Sequence, residues 1–70
     1  MPFAIMTRDL DSRSGRTPRL LAVDIPCPVE ARGMVERIAA TYPDCGRTRF
    51  GWSFRDRDGL HEIWAAPYPG

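Results

Sequence analysis

The sequence predicts an α+β domain of order β-β-α-β-β, with one helix packed on one face of a four-stranded, mainly antiparallel sheet. Three observations carry this reading. Two short apolar segments with alternating branched residues precede one stretch of helical periodicity. Two aromatic-rich segments joined by Asp56-Arg57-Asp58-Gly59 follow it. The chain has 70 residues, enough for one core and too few for a second domain.

The first strand spans residues 3–8, from Phe3 through Ile5 to Arg8. A polar connection, Asp9 to Pro18, follows, and Gly15 and Pro18 mark it as a loop. The second strand spans residues 19–25, with Leu21, Val23 and Ile25 expected on its inward face. Pro26 ends it. Pro28, whose fixed φ suits a first helical residue, opens a helix over residues 28–42. Its apolar positions, Ala31, Met34, Val35, Ile38, Ala39 and Tyr42, repeat at helical spacing and form one buried stripe. Glu30, Arg32, Glu36 and Arg37 take the opposite face, where Arg32 and Glu36 can pair across one turn. Tyr42-Pro43 stops the helix, because a residue before proline avoids helical backbone angles.

The last two strands are expected over residues 48–55 and 60–66. A loop of even length between them sets Phe54 opposite His61, Trp52 opposite Ile63, and Phe50 opposite Ala65. This register collects the apolar residues on one face, and a slip by one residue would scatter them. Phe50, Trp52, Phe54 and Ile63 are therefore assigned to the core. One helix covers one face of the sheet, so the other face is left for solvent or a partner.

That open face is the candidate binding surface. Trp64 falls on it, across from Gly51, and its simplest role there is to shield a strand glycine. Arg49, Arg55, Leu60, Leu20 and Met6 are placed on the same face by alternation, as are Ala4, Arg8, Ala22, Asp24, Ser53 and Glu62. Tryptophan and arginine are over-represented among binding hot spots, and so large an apolar patch is unusual on a monomer. The expected function is a small non-enzymatic protein-binding module using this face. The partner is another protein or a second copy of the chain, and a small bacterial or phage-encoded modulator or inhibitor of a larger complex fits the description.

Two alternatives come from other residues. Arg8, Arg13, Arg16 and Arg19 in and around the first loop are candidates for gripping a nucleic-acid backbone, with Trp64 stacking on a base. The formal net charge of +1 weighs against this, since neutralising phosphates calls for a clear basic excess. All ten basic residues are arginine, which suits bidentate anion contacts and equally reflects coding bias. Cys27, at the expected helix N-cap, is the second alternative: a thiol there is favoured as thiolate, as in thiol-dependent enzymes and redox sensors.

Other chemistry is disfavoured. His61 has Glu62 beside it, but adjacent strand residues face opposite ways and make no dyad; Asp56 and Asp58 lie within reach across the turn. The simpler reading is a histidine exposed at the hairpin end or packed on Phe54. Asp9-Leu10-Asp11 begins like a calcium loop, yet Arg13 and Leu20 stand where oxygen ligands belong. Cys27 and Cys45 flank the helix, which would separate them by roughly 20 Å, too far for a bridge. No catalytic residue, cofactor or metal is expected. No apolar run approaches the ~18 residues of a membrane span, and MPFAIMTRD lacks a basic start and long apolar core, so a cytoplasmic protein is the expectation.

Overall fold

The structure is a computed structural model that describes residues 2–11 and 18–68. The element order is β1 (Phe3–Asp9), β2 (Arg19–Ile25), α1 (Pro28–Ala40), β3 (Cys45–Arg47), β4 (Trp52–Asp56) and β5 (Gly59–Pro67). The strands form one antiparallel sheet of order β2-β1-β5-β4-β3. The general α+β arrangement agrees with the expectation, but the sheet has five strands where four were expected. The additional strand, β3, holds only Cys45, Gly46 and Arg47, too short for any alternation to register.

The strand expected over 48–55 begins only at Trp52. Thr48 to Gly51 form a tight loop, closed by Thr48 N donating to Gly51 O at 2.9 Å and Gly51 N donating to Thr48 Oγ1 at 3.0 Å. Phe50 stands at its tip with 64% of its surface exposed, so its assignment to the core is corrected. The loop takes Phe50 out of the ladder before its face can be set by alternation. From Trp52 onward the even register holds, pairing Trp52 with Ile63, Phe54 with His61 and Asp56 with Gly59. Gly59 takes φ 123°, a backbone angle that side-chain-bearing residues resist.

The two halves of the chain meet through β1 and β5, paired in unbroken register from Phe3↔Pro67 to Asp9↔His61. β2 is less regular. It pairs Ile25 with Phe3, then Ala22 with Ile5, then Leu20 with Met6, so an extra residue enters at each step. Asp24 lies in the first bulge with φ 61°, a left-handed angle that aspartate tolerates better than most residues. The bulges overturn simple alternation on this strand. Ala22 packs against the core, whereas Leu21 and Val23, expected inside, are 53% and 39% exposed.

The core lies between α1 and the covered face of the sheet. Ile5 and Ile63, on neighbouring central strands, are its fully buried large side chains; Ile25, Phe54 and the helix residues Ala31, Val35 and Ala39 complete it. The small alanines let the helix axis approach the sheet. Met34, Ile38 and Tyr42 pack at the margin, as the helical stripe predicts. Pro28 occupies the first turn, and Thr41 ends the helix with its hydroxyl donating to Ile38 O at 2.7 Å. Burial of this one face carries the fold, since apolar area removed from water contributes roughly 25 cal/mol per Å².

Gly33 is the weak point of α1. A Cβ built there meets nothing within 4 Å, so the position has room for a side chain. Gly33→Ala is expected to stabilise the protein by about 1 kcal/mol, read as a higher urea midpoint at unchanged slope.

Candidate functional site

The open face reads as rows across the sheet. Leu20, Met6 and Trp64 are direct cross-strand neighbours on β2, β1 and β5. One row along lie Arg8, Glu62 and Ser53, and beyond them the pair Leu60 and Arg55. Leu20 is 45% exposed, while Met6, Trp64 and Leu60 are half-buried. The structure thus brings five of the six candidates, Trp64, Met6, Leu20, Leu60 and Arg55, onto one face. Arg49 lies apart, in the 48–51 loop against the helix side of the molecule.

Arg8 organises the middle of this face. Its Nε and Nη2 both donate to Glu62 Oε1, at 2.9 and 2.6 Å, and its guanidinium carbon stands 5.5 Å from the Trp64 ring centre. Glu62 is only 5% exposed, so its charge needs this partner; an unpaired buried carboxylate would be strongly unfavourable. Phe50 reaches the same place from the loop, and a shallow groove of about 200 Å³ opens between Arg8, Phe50, Glu62 and Trp64. Alternation placed Arg8 and Glu62 on this face, but not their ion pair, and Phe50 was placed in the core. The mutual position of these side chains depends on the β1–β5 register, a contact between chain ends.

Trp64 has a structural contact as well. Gly51 backs onto it, and a Cβ at position 51 would drive into Ile63 O while standing 3.0 Å from both Trp64 Cα and Cβ. Only a glycine allows the loop this approach to β5. Arg55 is held at the face's edge by Asp11 at 3.5 Å and Asp44 at 3.4 Å.

A second cluster lies at the hairpin end on the covered face. His61 is 6% exposed, with Nδ1 2.6 Å from Asp9 Oδ1 and Nε2 2.8 Å from Asp56 Oδ1. The expectation of an exposed histidine is corrected, while its packing on Phe54 holds, with ring centres 5.3 Å apart. Tyr42 stacks on Phe54 as well, with ring centres 4.3 Å apart. Two carboxylates, one on each ring nitrogen, call for a doubly protonated ring that donates to both. Burial opposes the charge, but the hydrogen bonds and charges of Asp56 and Asp9 outweigh it and raise the imidazole above its ordinary value. The hydrogen bond from His61 lowers Asp56 in turn. Asp56 was foreseeable across the turn; Asp9 was not, because it arrives on β1. With both nitrogens engaged, His61 clamps three strands together and leaves neither nitrogen free for a third group.

Arg8 pairs with Glu62, and Arg19 stands 3.5 Å from Asp9, whereas Arg13 and Arg16 lie outside the described residues. Cys27 does hold the N-cap position, half-buried and without a side-chain capping hydrogen bond, and both cysteines are free. Among the described residues no group of His, Cys, Asp and Glu is arranged to hold a metal ion. Nor is any helix among them long and apolar enough to cross a membrane. No family model, curated protein or solved structure matches the chain.

Proposed function

We propose that the protein is a non-enzymatic binding module that docks a protein partner, or a second copy of itself, on its open sheet face. The observation that carries this reading is the row Leu20–Met6–Trp64, three large apolar side chains contiguous on the face that α1 does not cover. Arg8 and Glu62 sit beside the row as a neutralised pair, so an approaching apolar surface meets no unpaired charge. Arg55 at the rim supplies directional hydrogen bonds to carboxylates or carbonyls. Trp64, flat and held by Arg8 and Gly51, loses little conformational freedom on docking, which favours it as the anchor.

Sedimentation equilibrium of the wild type, Trp64→Ala and Leu20→Glu tests the self-associating form. The expected result is a wild-type dimer weakened at least about tenfold in both variants, with melting curves confirming that each still folds. For a foreign partner, a purified wild-type bait should retain a protein that both variant baits lose. A monomeric wild type whose bait retains nothing more than the Leu20→Glu bait overturns the proposal.

A further inference from the structure

Away from the open face, α1 and the 48–51 loop enclose a cleft of about 330 Å³, within the size range of small-ligand sites. Arg32 from the helix, Arg47 from the end of β3 and Arg49 from the loop line it. The described residues give none of these three guanidinium groups a carboxylate partner. Arg8 and Arg19, by contrast, each have one, and Arg55 has two. Glu36 is the single acidic side chain on the wall, so the cleft carries an excess of positive charge that the near-neutral chain lacks as a whole.

The arginines are also oriented. Arg47 lies over the Trp52 ring with its guanidinium carbon 5.8 Å from the centre, and Arg49 over Phe50 at 6.0 Å. Stacking on a ring restrains the fork while leaving its N–H groups free for a bidentate acceptor. The loop that carries Arg49 and Phe50 is pinned at both ends by its two Thr48–Gly51 hydrogen bonds. Val35, Trp52 and Ala65 give the cleft an apolar side, and Phe50 stands exposed at its mouth. Guanidinium forks beside an apolar, aromatic wall match a ligand with a phosphate at one end and a planar ring at the other.

We propose that this cleft binds a nucleoside phosphate, with Arg32, Arg47 and Arg49 on the phosphate and Phe50 and Trp52 against the base. The ligand chemistry belongs equally to a free nucleotide and to one residue of a single strand. The site uses neither Trp64 nor Arg55, and Phe50 is the one residue it shares with the groove on the open face.

The test is isothermal titration of the whole chain with nucleoside monophosphates and diphosphates, the corresponding unphosphorylated nucleosides, inorganic phosphate, and a short single-stranded oligonucleotide. The expected result is binding of the nucleoside phosphates, at least tenfold tighter than either the nucleoside or inorganic phosphate, and weakening as salt rises. Arg47→Ala and Arg49→Ala should each lower that affinity about tenfold or more, and Phe50→Ala severalfold. All three alter exposed side chains, so their melting temperatures should stay near wild type. Arg55→Ala should bind as wild type does. An oligonucleotide binding far more tightly than the mononucleotide names the single strand as the source; equal or weaker binding names the free nucleotide. No binding of any nucleoside phosphate at millimolar concentration, or unchanged affinity in Arg47→Ala and Arg49→Ala, overturns the proposal.

Discussion

Gly51→Ala is expected to destabilise the protein by about 3 kcal/mol, the upper end for forcing atoms into a packed site. The added methyl group meets backbone, not a pliable side chain: it collides with Ile63 O and crowds Trp64 Cα at 3.0 Å. Relief requires moving the loop away from β5 or bending β5 itself, and Ile63 on that strand is fully buried. In a domain this small, each kcal/mol shifts the melting temperature by about 4–8 °C, so a fall of more than 10 °C should follow. Thermal denaturation followed by circular dichroism provides the check. A variant melting within 2 °C of wild type would mean that the loop does not press on β5. Trp64→Gly in the Gly51→Ala background should not rescue the fold, because the collision with Ile63 O remains.

The second large effect concerns pH and His61. Its folded pKa is raised, so its contribution is fully present below the unfolded value of about 6.5 and is lost as pH rises through the folded value. Asp56 runs the other way. Its folded pKa is lowered, so its contribution is present above the unfolded value of about 4 and is lost as pH falls through the folded one. Together they predict greatest stability between about pH 4 and pH 6.5, with a decline toward alkaline pH that a neutral histidine would not produce. The charged groups facing the ring are Asp9 from β1 and Asp56 from β4, with Arg19 from β2 reaching Asp9; Phe54 packs on the ring and Tyr42 stacks on Phe54. His61→Gln keeps a hydrogen-bonding side chain but cannot carry the charge. At pH 5.5 it should cost about 2 kcal/mol, in the range of hydrogen bonds to charged groups, and less at pH 9. Urea denaturation of both proteins across pH 4–9 measures this. A constant difference between the two curves would show that His61 stays in one protonation state throughout.

Local pattern was a good guide wherever one residue's place followed from its neighbours in the chain. The stripe from Ala31 to Ala39 is the buried face of α1, and Pro28 and Tyr42-Pro43 bracket it within two residues. The Asp-Arg-Asp-Gly turn sets the register that pairs Phe54 with His61 and Trp52 with Ile63. Pattern failed where the backbone departed from ideal strand geometry. The bulges in β2 turned Ala22 inward and left Leu21 and Val23 exposed, and the pinned loop at Thr48–Gly51 carried Phe50 out of the core. Nothing in the alternation of apolar and polar residues records such an extra residue, because a bulge is settled by the strand it pairs with.

By itself, the amino-acid order determined the helix, its buried stripe, the closing hairpin and the fact that one sheet face would lack a helical cover. These follow from periodicities of 3.6 and 2 residues and from turn chemistry, all of short range. Tertiary structure alone decided that β1 lies beside β5. That pairing joins residues more than 50 positions apart, and with it come the Arg8–Glu62 pair, the Asp9–His61–Asp56 clamp and the row that ends on Trp64. Strand pairing of this kind depends on which edges remain free once both hairpins and the helix have packed, an energy that belongs to the whole chain and to no segment of it.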